Sequence, residues 1–207
     1  GALHLFKGSA ETAVRQIAGH TGADRLYLEQ DEDISWHQLV EALQQIIPVK
    51  PGGLRTLTDP ARVLKPDGTP YQVFTPYLNR AMLTDPDPPE GLAPCSWYTA
   101  FIPGTTEFPE PASFRESLPG GRTAALKGLE DLTSMGSYEQ LRDIPSASTS
   151  RMSPHLAWGT ISVRELYVRS RELFTPAGVY INELFWRDFW YAIAHHVPHV
   201  FHGSYHR

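Results

Sequence analysis

The 207 residues are 41% apolar and 20% charged, enough for one sizeable core or two small ones and too apolar for a solvated disordered chain. No apolar run approaches the ~18 residues that span a bilayer, the prolines are bunched rather than periodic, and the single cysteine, Cys95, excludes an internal disulfide and a cysteine zinc site. The net charge of −5 is uneven: residues 1–140 carry 11 Lys/Arg against 18 Asp/Glu, whereas 141–207 carry seven arginines, no lysine, five acids and six of the nine histidines. Arginine suits bidentate phosphate recognition, so the C-terminal part is the one that could meet a polyanion.

Residues 1–58 alternate strand and helix signals. Leu3–Phe6 reads as a strand, and Ser9 caps a helix with Ala10, Val14, Ile17 and Ala18 on one face, closed by Gly19 and Gly22. Arg25–Leu28 reads as a second strand, Asp33 or Ser35 opens a second helix carrying Leu39, Leu43 and Ile47, and Leu54–Leu57 reads as a third strand. That order predicts a small parallel sheet with crossover helices. No glycine-rich phosphate loop accompanies it.

Residues 60–120 are dominated by punctuation, with eight prolines between Pro86 and Pro119. They are expected to form an ordered but irregular connector, with Trp97, Tyr98, Phe101 and Phe108 packing parts of it down. From 121 onward the pattern is helical. One helix carries Ala124, Ala125, Leu126, Leu129 and Leu132, another starts at Thr160 or Ser162, and a third runs from Tyr180 to about Ala194, apolar around most of its circumference.

Three clusters could carry chemistry. Ser148–Pro154 sets four hydroxyls and Arg151 ahead of a proline that can open a helix, which is either a phosphate cradle or a polar capping loop. Glu183, Trp186 and Arg187 share one helical face, as a salt bridge beside a core indole or as the wall of a pocket for a planar heterocycle. The histidine-rich tail, His195 to His206, places His195 and His199 four apart. Pro198 interrupts the helix and no glutamate follows His195, so no metal site is expected there.

The motifs together resemble those of the DNA photolyase/cryptochrome family. Ser148–Gly159 (STSRMSPHLAWG) resembles its TSRLS loop, Tyr138–Asp143 its Y-x-x-x-R-D element, Ile181–Phe189 its EL-x-WR-[ED]-F helix, and Gly68–Tyr77 its GtPYxVFTPf stretch. The resemblance, closest to class I enzymes acting on cyclobutane pyrimidine dimers (CPDs), implies a truncated, parallel Rossmann-like α/β antenna domain (1–80), a proline-rich connector (81–120) and the start of an all-α FAD-binding domain (121–207). It implies a light-driven lyase using reduced FAD on UV-damaged DNA, with a folate or deazaflavin antenna pigment, no metal and no membrane, monomeric and cytoplasmic when complete. It implies that Tyr138, Thr149, Ser150, Arg151, Met152, Ser153 and Arg187 hold the flavin, that Glu183 and Trp186 face the lesion, and that Arg142 and Trp190 lie toward DNA. Burial beside Trp186 is expected to keep Glu183 protonated so that it can donate to a base. Family members start earlier and run well past the WR-[ED]-F helix, so the chain is expected to be the centre of a longer protein without a closed flavin site of its own. A cryptochrome photoreceptor, DASH-type included, or a non-catalytic interaction module stand as alternatives.

Overall fold

A computed structural model describes residues 3–89, 91, 93–108, 118–134, 138–174 and 178–205. Pro109, Pro111 and His206 lie outside the described residues. In chain order the elements are β1 (Leu5–Phe6), α1 (Ala10–Thr21), β2 (Leu26–Leu28), α2 (Ile34–Gln44), β3 (Val49–Pro51), α3 (Phe74–Ala81) and β4 (Thr105–Thr106). There follow α4 (Gly121–Asp131), α5 (Tyr138–Leu141), α6 (Ser153–Ala157), α7 (Val163–Leu173) and α8 (Val179–His196). No helix among the described residues is long and apolar enough to cross a membrane. The chain divides into two compact units, residues 1–53 with 91–115, and residues 54–90 with 116–207.

In the first unit the local signals act as expected. The Ser9 hydroxyl accepts Thr12 N–H at 3.2 Å to start α1, and Gly22 ends it at φ 69°, a left-handed conformation that a side chain would strain. Asp33 rather than Ser35 caps α2, accepting Ser35 N–H at 2.6 Å. The sheet differs from expectation. β2 and β3 pair in parallel, with Leu26 opposite Val49, but β1 pairs antiparallel with β4, so the described strands form two separate two-stranded ladders. The third strand is Val49–Pro51 rather than Leu54–Leu57, which is not a strand and belongs to the second unit. The connector is held by backbone acceptors and one aliphatic anchor. Gln16 Nε2 donates to Pro103 O at 2.6 Å, His20 Nε2 lies 3.0 Å from Phe101 O, and Ile102, like Leu43 and Ile47 of the same unit, is buried. Trp97, Tyr98, Phe101 and Phe108 are exposed, contrary to the expectation that they pack.

The second unit is built around α8. Ile181, Leu184, Phe185, Phe189 and Ile193 are buried at helical spacing, and α3, α5 and α7 pack on this helix. At about 25 cal/mol per Å2 of apolar surface, burial of each large side chain here contributes on the order of 2 kcal/mol, more than helix propensity supplies. Helix α3 forms inside the stretch 60–120 expected to be irregular, and it accommodates Pro76. The proline falls in the first turn, where its missing N–H has no intrahelical partner to lose. Helix α7 opens with a reciprocal cap: Ser162 accepts Glu165 N–H at 3.1 Å and Glu165 accepts Ser162 N–H at 3.0 Å. Arg122 of α4 forks onto the same carboxylate, and that hydrogen bonding holds Glu165 below the usual carboxylate range.

Candidate flavin-phosphate and lesion-facing site

The segment 148–153 is an irregular loop leading into α6, which opens at Ser153 with Pro154 in its first turn. Met152 turns inward. It is 2% exposed, and its Sδ lies 2.8 Å from where a Cβ on Gly128 would stand, so the missing side chain at 128 is what admits it. Arg151, next to it, is exposed and sits at φ 50°. A non-glycine residue in that region costs about 1 kcal/mol and persists only where its surroundings impose it. Here the inward anchor of Met152 and the start of α6 bracket Arg151 and turn its guanidinium outward. Thr149 and Ser150 are half-buried, and Ser153 is exposed.

The loop is tied to α8 by Tyr180, whose Oη donates to Ser150 Oγ at 3.0 Å. The Tyr180 ring meets Tyr138 of α5 edge-on at 4.9 Å and Phe174 at 5.1 Å. Burial pushes the Tyr180 phenol up to about 12 and also raises that of Tyr138, so both keep their protons near neutral pH. Just past α5, Arg142 forms an ion pair with Glu183, one turn along α8 from Tyr180. Tyr138, Arg142, Ser150 and Glu183 are thereby brought together around the first turns of α8. Glu183 is not the buried acid expected: its side chain is 37% exposed and that of Arg142 35%. In this structure the guanidinium expected to reach phosphate faces a carboxylate instead.

The other expected residues of α8 point to different neighbours. Trp186 lies flat on Phe74 of α3, with centroids 3.7 Å apart and planes 9° from parallel, and continues the layer to Trp190 at 6.0 Å. Phe74 and Trp186 are partly buried and Trp190 is 60% exposed, so the layer runs from the edge of the core to solvent. Arg187 donates to the carbonyl of Arg55 and stands 4.8 Å over the Tyr191 ring, while Arg55 Nη2 donates to Ala157 O at the end of α6 at 2.8 Å. The described structure thus uses Arg187 to hold segment 55–58 on α8.

Three residues given no role in the sequence reading belong to this arrangement. Tyr180 carried a usable signal, since it precedes Glu183 by three positions and shares its helical face. Phe74 lies within the GTPYQVFTPY stretch, but nothing in that stretch names its partner. Asp188, buried in α8, gave no sign of burial, because a charged residue in a helix is ordinarily at the surface. Among the described residues no group of three His, Cys, Asp or Glu side chains could hold a metal ion.

Residues 1–93 match the family model for DNA photolyase. Over 97% of its length the chain is 28% identical to a deoxyribodipyrimidine photo-lyase of Agrobacterium fabrum, covering 47% of that protein. Its fold is similar to a class III photolyase structure from Agrobacterium tumefaciens (TM-score 0.75, 28% identity, 95% of this chain, 46% of the other). It is also similar to a photolyase from Sulfolobus tokodaii described with two FAD molecules (TM-score 0.76, 25% identity, 100% of this chain, 46% of the other). The chain spans about half the length of the curated relatives it matches.

Proposed function

We propose that this chain, which is similar to DNA photolyases over nearly its whole length and matches their family model over residues 1–93, carries the phosphate-holding loop and the lesion-facing helix of a light-dependent lyase for cyclobutane pyrimidine dimers in DNA. The observation that carries the reading is the Tyr180–Ser150 hydrogen bond. It joins the hydroxyl-rich loop to the helix of Glu183 and Trp186 across 30 residues of chain, so the two segments serve one site. The Agrobacterium structure is described as class III, whereas the motifs resemble class I most, and the reading therefore stays at dimer repair in general.

The residues present fit FAD. A loop of three hydroxyls around an outward guanidinium, held at φ 50° by a buried neighbour, supplies donors only a polyanionic group would use together. Tyr138, Thr149, Ser150, Arg151 and Ser153 would hold the pyrophosphate, Met152 would set the loop's shape from below, and Arg187 would brace the helix that walls the flavin. When bound and reduced, FAD would lend the light-excited electron for opening the cyclobutane ring and take it back, with no net redox change. The chain's own residues supply orientation. Trp186, backed by Phe74 and flanked by Trp190, offers an apolar face on which a flipped-out pyrimidine pair can rest. Glu183 presents a carboxyl at the same face, and Arg142 is the cation that exchanges between Glu183 and a DNA phosphate. Handing Arg142 to DNA frees the Glu183 carboxyl to hydrogen-bond the edge of a base. A second, light-harvesting pigment belongs to the same reading, with a further flavin joining folate and deazaflavin as candidates.

The test uses the product of the complete gene. Flavin released on denaturation is quantified as FAD, and loss of dimers from UV-irradiated DNA is followed in blue light and in darkness. Stoichiometric FAD with light-dependent repair is expected, with FAD affinity lowered in Arg151→Ala and repair lowered with FAD retained in Glu183→Gln. FAD without repair would move the protein to the photoreceptor reading, and absence of FAD to the interaction-module reading.

A further inference from the structure

A buried polar chain crosses the second unit just behind the aromatic layer. Asp188 is fully buried on α8. Its Oδ1 accepts Leu57 N–H at 3.0 Å, and its Oδ2 accepts Thr58 N–H at 2.8 Å and the Thr58 hydroxyl at 3.1 Å. That hydroxyl has one proton and gives it to Asp188, so its 3.3 Å contact with Tyr77 Oη on α3 is one in which tyrosine donates. Burial and the nearby Asp188 charge both push the Tyr77 phenol up, so the donor keeps its proton. The chain therefore has one polarity, Tyr77 to Thr58 to Asp188. The groups facing the carboxylate are these two side chains, the two N–H groups of segment 54–58, and Arg187 on its own helix.

The two ends of this chain sit on the same two helices as the Trp186 stack, Tyr77 on the face of Phe74 and Asp188 on a different face of α8 from Trp186. Tyr77 follows Phe74 by three residues on α3, and Asp188 follows Trp186 by two on α8. Phe189, beside Asp188, fills the space between, 5.3 Å from Tyr77 and 5.9 Å from Phe74. The polar chain, by way of Thr58, and the Phe74–Trp186 stack thus bridge the same two helices, three residues apart on α3 and two apart on α8. Stacked rings tolerate sliding, whereas hydrogen bonds are directional and weaken steeply with angle. The polar chain is the bridge that can fix register.

We propose that Asp188 is a positioning residue for the lesion-facing helix: through Thr58 and Tyr77 it sets α3 against α8 and so holds Trp186 flat on Phe74. This rests on the reading of Trp186 as the indole that meets the dimer, but the geometry lies within one unit of this chain and can be read without flavin.

The experiment is a double-mutant cycle on the protein, read by near-UV circular dichroism and tryptophan fluorescence, with Asp188→Asn and Phe74→Leu made singly and together. Asparagine keeps one acceptor but turns an NH2 toward the second backbone N–H, which breaks the clasp. The two single variants are expected to give difference spectra of the same shape, absent in a Trp186→Phe background, and the double variant less than half the summed change. Lowering the pH of the unmodified protein through about 6 should reproduce the Asp188→Asn spectrum, and the Asn variant should show no such step. Tyr77→Phe, which leaves the carboxylate and its backbone donors intact, should give a smaller change of the same shape and decides the matter if Asp188→Asn does not fold. Additive changes, or a folded Tyr77→Phe protein with the unmodified spectrum, would overturn the proposal. Absent flavin or absent repair in the unmodified protein would remove the lyase reading and leave the spectroscopic cycle unaffected.

Discussion

Replacing Tyr180 by Phe isolates the tether between the loop and the helix. The change removes one neutral hydrogen bond of 3.0 Å to Ser150 and keeps the ring, with its edge-on contact to Tyr138 and its packing on Phe174. Such a bond contributes about 1 kcal/mol net, and leaving a partner unsatisfied costs more only if that partner is cut off from water. Ser150 is half-buried and can turn toward solvent, so the loss should stay near ~1 kcal/mol. Tyr180→Ala, which also empties the ring's site in a 5%-exposed position, should cost about 3–5 kcal/mol. Urea unfolding of the helical unit, followed by far-UV circular dichroism at unchanged m, measures both. FAD affinity supplies the functional arm. If the tether pre-organises the loop, its loss weakens binding about fivefold, the equivalent of ~1 kcal/mol. Because the phenol titrates only near 12, neither effect should vary between pH 6 and 9. A Phe variant as stable as the original, or one that loses as much as the Ala variant, would refute this account of how loop and helix are joined.

Three further outcomes are expected. Ser162→Ala removes one half of the reciprocal cap on α7 and should cost about 1 kcal/mol in the same urea assay, with Glu165 still held by Arg122. Phe185→Ala opens a cavity in a position with no solvent exposure and should cost roughly 3–5 kcal/mol, enough to show as a marked fall in the unfolding midpoint. Asp188 makes stability depend on pH with a defined sign. Desolvation outweighs its three hydrogen bonds and the nearby Arg187, raising the carboxyl from 3.8 to about 6 in the folded chain. The folded state therefore binds this proton more tightly than the unfolded one. The contribution is most favourable below about pH 4 and is lost as pH rises through 6, by up to about 3 kcal/mol at ~1.4 kcal/mol per pH unit. The difference in urea-derived stability between the unmodified protein and Asp188→Asn, measured from pH 4 to 7, should follow that curve; a flat difference would show that the carboxylate is better solvated than its surroundings imply.

Local chemistry carried much of this protein into its structure unaided. Ser9, Asp33 and Ser162 start their helices because a side-chain oxygen meets an N–H only two or three residues away, and Gly22 stops α1 because only glycine takes φ 69° without strain. The span of α8 and its buried stripe follow from 3.6-residue periodicity, and the motif residues of the 148–153 loop were readable because they are contiguous. Tertiary structure alone decided which strands pair: β1 takes β4, 100 residues away, and no pattern within either segment names its partner. It also decided that Arg142 faces Glu183, that Arg187 reaches back to Arg55, that Trp186 rests on Phe74, and that the charge of Asp188 lies inside. Each of these joins residues more than 40 positions apart or depends on what covers a helix face. A linear pattern encodes period and capping, whereas the identity of the covering surface is set only when the chain has folded against it.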